Sequence, residues 1–190
     1  MNILDRLDDR IFDPLEEIAA RPILTTMARF TFAATLLFYY WASALTKLGD
    51  GVTGIFRPST GAYAQILPRA FDMAGYDASR LPGWQHAIVL AGTWAEFLLP
   101  ALLVLGLATR PAAWAMIGFV LVQTATDLFG HGALGEPATL GAWFDRMPDA
   151  QILDLRLVWI TLLLVPALMG GGPLSLDALL RRRASRRAAA

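Results

Sequence analysis

The 190 residues carry 16 Lys+Arg against 16 Asp+Glu, so no global field points to nucleic acid. The absence of cysteine excludes disulfides, thiolate catalysis and cysteine-ligated iron–sulfur clusters. Hydrophobic residues make up 56% of the chain and charged residues only 17%, against about 25% in a soluble domain, and the mean hydropathy is +0.49.

That deficit of charge is concentrated in long apolar runs, which indicates an integral membrane protein. The first ten residues, MNILDRLDDR, hold no basic stretch followed by an apolar core, so no cleaved signal peptide is expected. Over residues 2 to about 20, Leu4, Leu7, Ile11, Leu15 and Ile18 recur at spacings of three and four. This stripe predicts a helix over 1–21 lying at the membrane interface and packed against the spans. Its acidic balance does not suit anionic head groups, and a docking surface for a partner is the second reading. Arg21-Pro22 breaks that helix.

A first span is expected over 25–45, with Arg29 snorkelling to the head groups and Phe38, Tyr39, Tyr40 and Trp41 forming an interfacial aromatic belt. Lys47 and Gly49 end it. The connection from Gly49 to Pro82 is long and punctuated by Gly and Pro. A short amphipathic helix broken or bent near Pro68 is expected there, and the whole reads as a lid over one end of the spans. The second span, 86–107, carries Glu96 near its middle and Pro100 a turn further on. A lone carboxylate in a span is costly to bury and marks a functional site or a buried ion pair. Ala108-Thr109-Arg110-Pro111 is a tight turn, so the third span, 111–129, runs antiparallel to the second. A Gly/Pro-rich loop leads to a fourth span over 150–169, whose apolar part from Leu157 is too short to cross alone. Asp154 and Arg156 must therefore lie inside. Gly170-Gly171-Gly172-Pro173 stops this span. A final amphipathic helix from Ser175 to about Leu180, with Asp177 at its positive end, enters a basic tail over 174–190. By the positive-inside rule, Arg110, the C-terminal arginines and both termini face the cytoplasm. The expected fold is thus all-α, an integral membrane four-helix bundle with interfacial helices at both termini and a long outer loop after the first span.

Helix rise places the polar residues by depth. Counted from the cytoplasmic ends, Glu96 lies about 16 Å deep, Gln123 about 18 Å, Arg156 about 19 Å and Tyr40 about 22 Å. Asp127 comes next at about 24 Å, with Asp154 similar to Tyr40. Glu96, Arg156, Gln123 and Tyr40 thus share a level, with Asp127 slightly outward. They are the candidate ligand-binding residues, with Glu96 and Arg156 read as a buried ion pair. An equal reading makes them polar glue between helices. His86 and His131, with Asp127, could make a two-His, one-carboxylate metal site, although surface histidines near loops are commoner. Two axial histidines for a haem within one subunit would consume both.

The stretches Arg29…Lys47-Leu48-Gly49, Glu96, Leu105-Gly106-Leu107-Ala108-Thr109-Arg110-Pro111 and Gly170-Gly171-Gly172-Pro173-Leu174-Ser175-Leu176-Asp177 resemble the DoxX family of small four-helix membrane proteins over about residues 25 to 180. The acidic N-terminal helix and the 49–82 loop are longer than in a minimal member. The resemblance implies a bacterial inner-membrane protein tied to respiratory or sulfur redox chemistry. Some relatives are named as subunits of a thiosulfate:quinone oxidoreductase, and others are similar to accessory proteins in oxidative-stress or metal-peptide maturation. With no cysteine and two histidines, electrons would need a bound quinone or a partner subunit. The expected function is a subunit that binds a quinone-like ligand in a central polar pocket within a membrane complex or homo-oligomer. A non-enzymatic accessory or assembly subunit is the alternative, and transport of a small solute or proton comes third.

Overall fold

The computed structural model describes residues 20–188, so the stripe over residues 2 to about 20 and the end of the tail lie outside the described residues. The described residues are all-helical, with one isolated bridge between Leu48 and Pro58 and no strand among them.

Three helices are long and apolar enough to cross a membrane: α1, Arg21–Thr46; α4, Gly83–Leu105; and α5, Thr109–Gly130. The shortest has 22 residues and reaches about 33 Å, against a hydrocarbon core of about 30 Å. Between α1 and α4 lie the short helices α2, Thr60–Ile66, and α3, Pro68–Met73. After α5 come α6, Pro137–Leu140; α7, Asp154–Met169; and α8, Leu176–Ala188. With 16 residues, α7 spans only about 24 Å. It packs against α5 and α1, while α4 packs against α1 and α5.

Each long helix turns one narrow stripe inward. On α1 the buried residues run Thr25, Ala28, Arg29, Phe32, Leu36, Tyr40 and Ala44; on α4 they run Val89, Thr93, Glu96, Pro100 and Leu103. Spacings of three and four put each set on one face. The outward faces are apolar instead: Phe30 is 65% exposed, Val122 66% and Leu168 62%. Charges inside and bare hydrophobic side chains outside suit a lipid surround rather than water.

Several details depart from the sequence expectation. The first long helix begins at Arg21, with Pro22 in its first turn, because the missing proline N–H has no helical partner to lose there. Pro22 therefore opens the span. Arg29 does not snorkel outward; it is 9% exposed and caps the end of α4 from inside. Tyr40 leaves the expected aromatic belt for the core at 1% exposure, edge-on to Phe119 and Trp159, whereas Phe38 remains outside at 72%. Near Pro68, by contrast, the expected break or bend is realised as a break, with Leu67 between α2 and α3. The terminal helix continues through the arginines to Ala188 rather than ending near Leu180.

At the other end of α4, the 49–82 connection has its own small core. Ala62, Tyr63, Phe71 and Leu81 pack on Val89, the first buried residue of α4. Ser59 caps α2 by accepting the Ala62 amide, and its own amide donates to the Lys47 carbonyl. The loop is thereby tied to the end of α1.

Candidate functional site: a cleft with two buried ion pairs

Lys47 is the first residue past α1, and its aliphatic stem turns back along the helix. Its Nζ donates to the Ser43 hydroxyl at 2.7 Å, to the Ser43 carbonyl at 3.2 Å and to Glu96 Oε2 at 2.9 Å. The side chains of Lys47 and Glu96 are 3% and 7% exposed. Two desolvated charges in contact offset part of the burial cost of each, and the two Ser43 oxygens occupy further ammonium hydrogens.

Arg156, at the start of α7, pairs through Nη2 with Asp127 of α5. Arg156 is 2% exposed, while its Nε and Nη1 have no partner among the described residues. The predicted Glu96–Arg156 pair is therefore replaced by two pairs, Glu96–Lys47 and Arg156–Asp127. The cause is geometric. Lys47 lies seven residues beyond Tyr40, about 10 Å further along α1, so a depth count excludes it; a four-carbon stem closes that gap. Gln123 meets Tyr40 and Tyr39 at 3.5 Å each, which is long for a hydrogen bond.

Five of these groups, Lys47, Glu96, Ser43, Gln123 and Asp127, line one cavity of about 540 Å³. Its walls come from α1, α4 and α5, and Gln65 and Ile66 of α2 reach its edge. Ala91, Gly92, Ala95, Ala115 and Gly118 project little side-chain volume into the cavity, which leaves the space open. Of these, Ala91, Ala115 and Gly118 are also exposed on the outer surface, so the cavity is a cleft open to the side. Two π-helical turns lie beside it. Ala33–Leu37 precedes Tyr39 on α1, and Thr126–Gly130 includes Asp127 on α5. Such turns rotate the facing of the next residues along the helix and are frequent at functional sites.

Of the predicted site residues, Glu96, Gln123 and Asp127 share the cleft; Tyr40 and Arg156 stand behind its wall. Sequence reasoning misses Lys47, Ser43 and Tyr39 as site residues. In one dimension Lys47 reads as a stop at the end of a span, and a small hydroxyl four residues before it is the available signal.

The two histidines are separated by function as well as place. His86 Nδ1 is hydrogen-bonded to the Tyr63 hydroxyl at 2.7 Å, away from the cleft. His131 lies at the cleft edge, where its Nε2 donates to the Gln65 carbonyl at 3.1 Å. Among the described residues, no group of three His, Asp or Glu side chains could hold a metal ion, so the two-His, one-carboxylate arrangement does not form.

The opposite end of the helices is closed by main-chain capping. Gly106 ends α4 at φ +68, and Arg29 donates to the carbonyls of Leu103, Val104, Gly171 and Leu174. Asp177 accepts from the Ala108 and Thr109 amides at 2.8 and 2.9 Å and from the Thr109 hydroxyl at 2.7 Å. It caps α5 rather than serving only its own helix. A Cβ on Gly172 would lie 2.1 Å from Thr25 Oγ1, so only glycine admits this approach. The 105–111 and 170–177 stretches thus form one joint.

The described residues are those of an all-helical protein, with three helices among them long and apolar enough to cross a membrane. No family model matches the chain, and neither do the curated proteins or the solved structures.

Proposed function

We propose that the chain is a multi-pass protein of the bacterial inner membrane, DoxX-like in its capping joint. In this reading α7 and its lead-in residues form a fourth span, both termini are cytoplasmic, and the 49–82 connection covers the outer end. The lateral cleft takes a small amphipathic ligand from the bilayer, a quinone being the preferred class. It acts as a subunit of a redox-linked membrane complex. The observation that carries this reading is the buried Lys47–Glu96 pair on the wall of a cleft where Gln123 and Asp127 face small and apolar residues of α4 and α5. Ligand sites commonly combine an apolar wall with a few convergent polar groups. Here the Gln123 amide supplies a donor for a carbonyl oxygen, and the carboxylates of Glu96 and Asp127 accept from a hydroxyl.

Occlusion tests the reading. Gly118 lines the cleft, and nothing lies within 4 Å of a Cβ built there. Gly118→Leu should fold normally and lose binding of a short-chain ubiquinone by at least about tenfold, monitored by fluorescence quenching of the protein in detergent. Unchanged affinity would overturn the quinone assignment.

A non-enzymatic accessory role is the second reading, and one feature favours it. Trp143, Phe144 and Met147, in the loop before α7, are 55%, 105% and 64% exposed. A subunit that co-purifies with a partner but retains no quinone after extraction supports that role.

A further inference from the structure

The terminal helix has a chemistry that the cleft does not use. After Asp177 no acid occurs through Ala188, while five arginines, 181, 182, 183, 186 and 187, fall within seven residues. All five are exposed, and none forms an ion pair among the described residues. At 100° per residue, Leu176, Leu179 and Leu180 share an arc of about 100° on α8. These leucines are 37%, 44% and 52% exposed. Arg183 and Arg187 continue the same face, Arg186 borders it and Arg182 lies further round, while Arg181 is on the far side of the helix. The helix is also tethered: Asp177 holds its first turn against the start of α5, and Arg29 holds the residues before it against the end of α4.

We propose that α8 docks on anionic phospholipid head groups at the face of the bilayer where α4 ends and α5 begins. The leucines enter the acyl boundary over the first two turns. The arginine stems then lie along it with their guanidinium groups among the phosphates. Charge complementarity selects this occupant. A neutral zwitterionic surface gives five unpaired arginines no compensation, whereas each arginine near an anionic surface contributes about fivefold in affinity. Planar guanidinium groups also match phosphate oxygens in bidentate fashion. The inference rests on the membrane reading but not on the cleft or its ligand.

The test uses the full chain in micelles containing equal phosphatidylglycerol and phosphatidylcholine, with bound lipid counted by native mass spectrometry. The wild type should retain phosphatidylglycerol preferentially, and retention should fall as salt rises. Arg183→Gln, Arg186→Gln and Arg187→Gln together should weaken it by about a hundredfold, while an unchanged melting temperature shows that the fold is intact. Gly118→Leu, which occludes the cleft without touching α8, should leave lipid selectivity unchanged, which separates this result from any failure of the cleft reading. Equal retention of the two lipids would overturn the proposal. So would undiminished phosphatidylglycerol on the triple variant, or wild-type protein carrying nuclease-sensitive RNA at this helix instead.

Discussion

Among the described residues, Glu96 is held by Lys47 and by nothing else of opposite charge, so each member of the pair is costly without the other. Glu96→Leu or Lys47→Met alone should destabilise the protein by about 3–5 kcal/mol. The double variant should melt closer to the wild type than either single one, measured by thermal unfolding in detergent. Additive losses would mean that the two residues do not depend on each other. Asp177 gives a pH-dependent counterpart outside the spans. Partial burial works to raise its carboxyl, but the hydrogen bonds from Thr109 and Ala108, with Arg181 nearby, outweigh burial and hold it below the usual value. A depressed carboxylate stabilises the fold above its unfolded value of about 3.9 and loses that contribution as pH falls through its folded value. The wild type should therefore lose thermal stability below about pH 4 by a component that Asp177→Asn lacks. Parallel curves for the two proteins would assign the acid transition elsewhere.

The joint between α4, α5 and α8 depends on helix ends rather than on apolar area. Gly106 occupies the left-handed region, and an added Cβ would lie 2.5 Å from Ser175 Cβ and 2.8 Å from Arg29 Cζ. Gly106→Ala should cost about 1–3 kcal/mol from backbone strain alone, with the collision adding to it. The matched control is Gly118→Ala, where the backbone is ordinary helix and the space open; it should be neutral or slightly stabilising. Equal melting temperatures for the two variants would show that the joint yields without cost. The two π-helical turns are a second device of element scale. They let α1 bring Tyr40 into the core while α5 presents Asp127 to Arg156.

For the molecule as a whole, the capping joint and the loop core sit at opposite ends of α4, with the cleft between them. If the proposed orientation is right, a fluorescent-protein fusion after Ala190 should fluoresce in the cytoplasm. A periplasm-active phosphatase inserted at Gly75, in the exposed turn after α3, should be active. The reverse pattern would invert the topology and move the proposed lipid contact of α8 to the other leaflet. Within lipid, apolar burial gives helices little reason to associate. Close packing of the shared core of α1, α4, α5 and α7 and the interhelical caps and ion pairs therefore hold these helices together.

Hydropathy and helix-breaking residues are enough to locate the three long apolar helices and the stop at Gly170, because these follow from local composition and backbone chemistry. The tight turn expected at 108–111 falls at 106–108 instead, since Pro111 is accommodated in the first turn of α5. The sequence also marks Glu96, Arg156, Gln123 and Tyr40 as one polar level with Asp127 slightly outward, since polar atoms in apolar runs stand out whatever their partners; of these, Glu96, Gln123 and Asp127 line the cleft. Pairing is not legible in this way. Depth along a helix can be counted from one dimension, but the direction a side chain faces and the distance its stem can reach depend on how neighbouring helices cross. Only the tertiary structure could give Glu96 to Lys47 and Arg156 to Asp127. It alone could turn Arg29 inward onto four carbonyls and leave an open cleft where the sequence offers a row of small residues.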